Sequence, residues 1–192
     1  MKRDANVEAR FSTQGLILRL GADANRCRKG IDRAVGNAKP VEGEYEVDDF
    51  HSRQFIRAVF AYLEGASFAI KLWAVHNLSR ENRISQEEVW TANETAFELR
   101  NGNVIEKTAK IRLDENITYT FALLDRLHGV GPTLDKSLKW WASLQSSIKI
   151  RDRLTHPRRI EDLDVPARDL FDVMEAEQGF TDRMLAYPDL KK

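Results

Sequence analysis

No disulfide can form within this chain, because its 192 residues include a single cysteine, Cys27. Four histidines and that one thiol supply few ligands of the kind a structural zinc site needs, and no cofactor is expected. No stretch reads as the run of about 18 apolar residues that a membrane helix requires. The opening Met1-Lys2-Arg3-Asp4 is not followed by an apolar segment, so no signal peptide is expected. Neither charge sign prevails: 30 Lys and Arg face 30 Asp and Glu, which argues against a broadly basic nucleic-acid binder. A local basic patch is still allowed. Internal repeats, low-complexity runs and glycine-rich phosphate loops are absent as well. These absences together lead to the expectation of a cytoplasmic protein of one domain, with no membrane partner.

What is present is helical. A hydrophobic share of 42% with 31% charge is ordinary for a globular chain. Residues 1–46 read as a loosely specified N-terminal extension, with one helix from Val7 to Val35 weakened by Gly15, Gly21 and Gly30, then a loop over Lys39–Glu46. Residues 47–187 read as the core. From Asp48 to about Arg80, apolar residues recur at three- and four-residue steps, among them Phe55, Val59, Phe60, Leu63 and Trp73. Ser85 and Glu88 match a capping box, and the helix after them is expected to run through Trp90, Ala96 and Phe97. Asn101-Gly102 is a turn signal, and 100–113 fits either a short hairpin or a loop arm. Helical spacing returns over Asp114–Leu127. It returns again after Thr133, the expected N-cap of a helix that Pro157 ends, and after Asp164, the expected cap of a last helix that Pro188 stops. The class predicted is all-α, a bundle of about four to six helices.

The chemistry-bearing stretch is Lys149-Ile150-Arg151-Asp152-Arg153-Leu154-Thr155-His156-Pro157-Arg158-Arg159. On a continuous helix, residues five apart diverge by roughly 140°. Pro157 disfavours helical dihedrals at His156, so the imidazole is expected at a frayed end, free to swing towards Arg151. Asp152 could orient the imidazole or fix the guanidinium. A histidine can transfer protons near neutrality, and an arginine offers a planar fork of donors to phosphate oxygens.

The form Arg151-Asp152-x-x-x-His156, near the end of a helical bundle and followed by a final helix, resembles the signature of the HEPN superfamily. The resemblance covers roughly 47–187, but its specific part is about a dozen residues. It implies a metal-independent endoribonuclease with Arg151, Asp152 and His156 as catalytic residues and 2′,3′-cyclic phosphate and 5′-OH ends as products. It implies a homodimer whose two motifs share one cleft, in a defence or toxin–antitoxin setting where an antitoxin or regulatory protein is a further partner. Lys149, Arg153, Arg158 and Arg159 would form a cationic rim for RNA. One branch of the family has His-x-Tyr, the tyrosine being a site of regulatory modification. Arg158 stands at that position here, which puts such regulation in doubt.

Plainer readings stand beside this one. Arg151 and His156 suit a helix C-terminus simply as cations beside free carbonyls. Asp152 can pair with a neighbouring arginine, and Arg158 and Arg159 can be a solvated loop. Trp73, Trp90 and the Trp140-Trp141 pair read as packing; Glu64, amid the apolar stripe, could join the cleft as a buried acid but reads more plainly as an acid at a helix boundary or in a salt bridge. The alternative function is a non-catalytic helical module that binds nucleotide, RNA or a protein.

Overall fold

The helical periodicities are realised as six α-helices and one hairpin in a computed structural model, which describes residues 5–37 and 49–190, with side chains over 13–33 and 50–190. The described residues are mostly helical. The helices are α1 (Ala5–Asn37), α2 (Asp49–Arg80), α3 (Gln86–Ala92), α4 (Leu113–His128), α5 (Lys139–Thr155) and α6 (Ala167–Met184). The strands β1 (Thr95–Arg100) and β2 (Asn103–Thr108) pair antiparallel, with Phe97 opposite Glu106 and Leu99 opposite Val104. The loop expected over Lys39–Glu46 lies outside the described residues, as do Asp48 and the side chain of Phe11. Two compact units emerge: Ala66–Leu134 with the chain up to Gln14, and Gly15–Gly65 with Asp135–Lys192.

In the unit built on Ala66–Leu134, the later part of α2 buries Ile70, Trp73, Ala74 and Leu78, and α4 buries Ile117, Phe121, Leu123 and Leu124. The capping box at Ser85 forms as expected: the Glu88 N–H donates to Ser85 Oγ (3.3 Å), and the Ser85 N–H donates to Glu88 Oε2 (2.9 Å). The helix it starts is shorter than its apolar spacing predicted. Glu94 takes a left-handed backbone (φ 55°), which no α-helix tolerates, and Ala96 and Phe97 continue into β1. Trp90 is therefore 39% exposed rather than core, its ring edge-to-face with Phe97 at 4.9 Å. Asn101 (φ 51°) and Gly102 (φ 78°) form the two-residue turn, both at the positive φ that a type I′ hairpin demands. Thr133 caps no helix. Its N–H and hydroxyl both donate to the Asp125 carboxylate, at 3.1 and 2.8 Å, and α5 begins six residues later.

In the other unit, α5 and α6 pack closely. Gly179 makes this possible, since a Cβ there would run into Trp140. Trp140 and Trp141 are both buried, as expected. Phe55, Ile56, Val59 and Leu63 of α2, Leu144, Ile150 and Leu154 of α5, and Val173 and Phe180 of α6 fill the core. Polar ties add direction: Tyr62 Oη meets Thr181 Oγ1 (3.0 Å), Ser146 donates to Asp172 (2.8 Å), and Arg28 pairs with Glu177. The expected cap at Asp164 is replaced. Pro166 occupies the N-cap of α6, and the Asp164 carbonyl instead accepts from Arg153 (2.9 Å). α6 ends at Met184, before Pro188, which opens a short 3-10 turn.

By length and composition Phe50–Arg80 is apolar enough to cross a membrane, contrary to the sequence expectation. Most of that window, 67%, is buried, so its apolarity serves the interior.

Candidate functional site at the end of helix α5

α5 presents a buried face of Trp140, Leu144, Ser147, Ile150 and Leu154 at three- and four-residue spacing. Arg151 follows Ile150 and therefore lies at the edge of that face. Its side chain is 30% exposed. The guanidinium carbon stands 5.2 Å from the centre of the Phe60 ring, within cation–π range. One terminal nitrogen is 3.1 Å from Glu64 Oε1, and the other is 3.4 Å from Asp152 Oδ1. The inner nitrogen, Nε, is buried and has no hydrogen-bond partner among the described residues. Phe60 and Glu64 lie one turn apart on α2, so a single helix face supplies both the surface under the guanidinium and the carboxylate at its rim.

The helix stops where Pro157 requires. His156 has left helical dihedrals (φ −128°, ψ 58°), although its N–H still donates to the Asp152 carbonyl (3.0 Å). Thr155 Oγ1 turns back to the Arg151 carbonyl (2.7 Å), closing the last turn. The imidazole is exposed. No hydrogen bond among the described residues joins its ring to Arg151 or Asp152. Asp152 orients towards the guanidinium, one of the two roles the sequence allowed it.

The four rim cations differ. Lys149, Arg158 and Arg159 are exposed. Arg153 is spent on the fold, donating to Asp169 Oδ2 (2.7 Å) and to the Asp164 carbonyl. The backbone N–H groups of Arg158 and Arg159 donate to Asp162 Oδ2, at 2.8 and 3.0 Å. Those two donors hold the Asp162 carboxyl below the usual carboxylate range. Arg153 is thus paired by a carboxylate, and Asp162 lies at the backbone of Arg158 and Arg159.

Glu64 is the residue that the sequence offered for the cleft only as a lesser alternative. Its signal was an acid amid the apolar stripe of α2, read more plainly as a boundary acid or a salt bridge. The ion pair is there, and its partner is the motif arginine. Two open grooves of ≈ 380 Å³ run along α5 and α6, one lined by Trp140, Gly179 and Arg183 and the other by Ser143, Phe171 and Asp172. Neither includes a motif residue. Among the described residues no group of three or more His, Cys, Asp or Glu could hold a metal ion.

Chemically, the helix end offers a planar cation with donors to spare and, five residues on, a solvent-facing imidazole. No family model, no curated protein and no solved structure matches the chain.

Proposed function

We propose that the protein is an endoribonuclease of the HEPN type, acting without a metal and as a homodimer in which two copies of the Arg151–His156 helix end share one cleft. The observation that carries this reading is the local geometry: Arg151 lies part-exposed on Phe60, while Pro157 frees His156 from the helix as an exposed group. In the reaction, the RNA 2′-oxygen bonds to the adjacent phosphorus as its proton passes to a base. The P–O5′ bond breaks, and the departing 5′-oxygen takes a proton from an acid. A 2′,3′-cyclic phosphate and a 5′-OH remain. His156 serves proton transfer. Arg151 donates to the oxygens on which negative charge grows. Asp152 steadies the guanidinium. Lys149, Arg158 and Arg159 hold the RNA backbone by charge, so binding should weaken steeply with salt. A defence or toxin–antitoxin role, with an antitoxin or regulatory protein as partner, follows from the same resemblance.

The test is direct. Total RNA incubated with the pure protein in EDTA should be cut into fragments with cyclic-phosphate ends. His156→Ala should lose about 10²–10⁴ in rate with its helical circular dichroism intact. A parent that cuts nothing, or an alanine variant that cuts as fast, sinks the nuclease. A strict monomer by light scattering at micromolar concentration rejects the shared cleft.

A second reading has its own observation. Carboxylates already attend Arg151, Arg153 and the Arg158–Arg159 backbone. Such pairing suits a non-catalytic helical module more than a site that stabilises a charged phosphorane.

A further inference from the structure

Arg151 could have met solvent as a flexible side chain, and a flexible guanidinium makes a poor transition-state donor. Holding a planar donor in one pose is worth orders of magnitude where the reacting geometry is strict. Here the pose is set by α2. Phe60 lies under the guanidinium at 5.2 Å, and Glu64, one turn further, takes one terminal nitrogen at 3.1 Å. Nε is closed off from solvent and has no partner among the described residues. Movement is thus limited out of plane by the ring and in plane by the carboxylate. Each terminal nitrogen carries two N–H groups, so one ion pair on each leaves donors over for a phosphate.

We infer that Glu64, together with the Phe60 ring, is a positioning residue for Arg151, clamping the guanidinium so that its remaining terminal N–H groups meet the scissile phosphate. The inference rests on the nuclease reading and adds a residue outside the motif to it. Glu64 touches no RNA in this scheme and acts only through Arg151. Half of its side chain is exposed, at 51%, so replacing it leaves no buried hole.

The experiment compares Glu64→Ala, Glu64→Gln and Glu64→Asp with the parent in steady-state cleavage of a short RNA. Glu64→Ala should lower kcat about tenfold to hundredfold, with KM unchanged or lower, since alignment matters more in the transition state than in binding. Glu64→Gln keeps the reach and an acceptor oxygen and should restore most of the rate. Glu64→Asp keeps the charge but is one methylene short and should restore little. Melting temperatures should stay together, because an exposed ion pair contributes at most about 1 kcal/mol. Nitrogen-15 spectra of the arginine side chains supply a readout independent of catalysis: hindered rotation of the Arg151 terminal nitrogens in the parent should be lost in Glu64→Ala.

An alanine variant that cleaves as fast as the parent, or faster, overturns the clamp while the nuclease stands. So does unchanged rotation of the Arg151 nitrogens, or a rate loss matched by a fall in melting temperature. A parent that cleaves no RNA overturns the nuclease, and the role of Glu64 in cleavage goes with it.

Discussion

Among the described residues three cations sit over phenylalanines of α2; one is Arg28, over Phe55, and the fates of the other two differ. Lys71 is fully buried. Its ammonium lies 5.3 Å from the Phe68 ring centre and donates to Glu94 Oε1 (3.0 Å) and Asn116 Oδ1 (2.5 Å), while Asn116 donates in turn to Glu94 (2.8 Å). That knot ties α2, the start of β1 and α4. Arg151 has the same ingredients, a ring and a carboxylate, but remains part-exposed with donors unused. An ammonium whose surroundings consume it contributes to structure. A guanidinium held in place and left partly unsatisfied is available for chemistry. The same pairing of cation and ring therefore says nothing of function until exposure and remaining donors are counted.

The comparison can be broken most visibly at Arg151. Arg151→Lys keeps the charge but loses the planar fork, and cleavage should fall by at least about 10²-fold, the usual cost of removing a preorganised donor. Thermal unfolding of the same variant should move little. A lysine variant of near-parental rate would leave Arg151 no more special than any surface cation.

Lys71→Met should show the reverse. Removing the ammonium strands Glu94 and Asn116, and stability should fall by about 3 kcal/mol in urea unfolding. Arg151→Ala should cost less than about 1 kcal/mol. Equal losses at the two positions would erase the distinction.

Acid should act on the knot too. Burial pushes the Glu94 carboxyl up, but hydrogen bonds from Asn116 and Lys71 outweigh it and hold the group below its ordinary 4.5. A depressed carboxyl contributes stability that is complete above the unfolded value and is lost as pH falls through the folded one. Unfolding free energies measured downward from about pH 5 should therefore decline less steeply in Glu94→Gln than in the parent. An acid limb of unchanged slope would remove Glu94 from the account.

The smallest effect belongs to a third kind of polar contact, the exposed cap. Ser85→Ala removes the acceptor for the Glu88 N–H and should cost about 1 kcal/mol. A cost as large as that at Lys71 would mean that burial is not what separates these sites.

Long-range character was legible in the sequence where periodicity was sustained. α2, α4 and the stop at Pro157 follow from apolar spacing and one proline, as does the cap at Ser85 from its motif. Boundaries decided by distant partners were not legible. Asp125 takes both donors of Thr133, and Glu94, bonded to Lys71, has the left-handed backbone at which α3 gives way to β1. Neither preference is visible from neighbouring residues. At the candidate site, the exposed histidine at the helix end could be read from His156-Pro157. The occupation of Arg153 by Asp169, and the pairing of Arg151 with Glu64 across 87 positions of sequence (151 − 64), required the fold.

The Asn101-Gly102 turn bears on how the chain reaches its native state. A two-residue loop with both φ angles positive brings Arg100 beside Asn103 with little loss of chain entropy, so the hairpin can zip from its tip within microseconds. The Lys71 knot closes sequence separations of 23 and 45 residues and must shed water from a charge. It is expected to lock late, after the hairpin has delivered Glu94 to its place. Mutations at the turn should then slow refolding, whereas those in the knot should chiefly hasten unfolding.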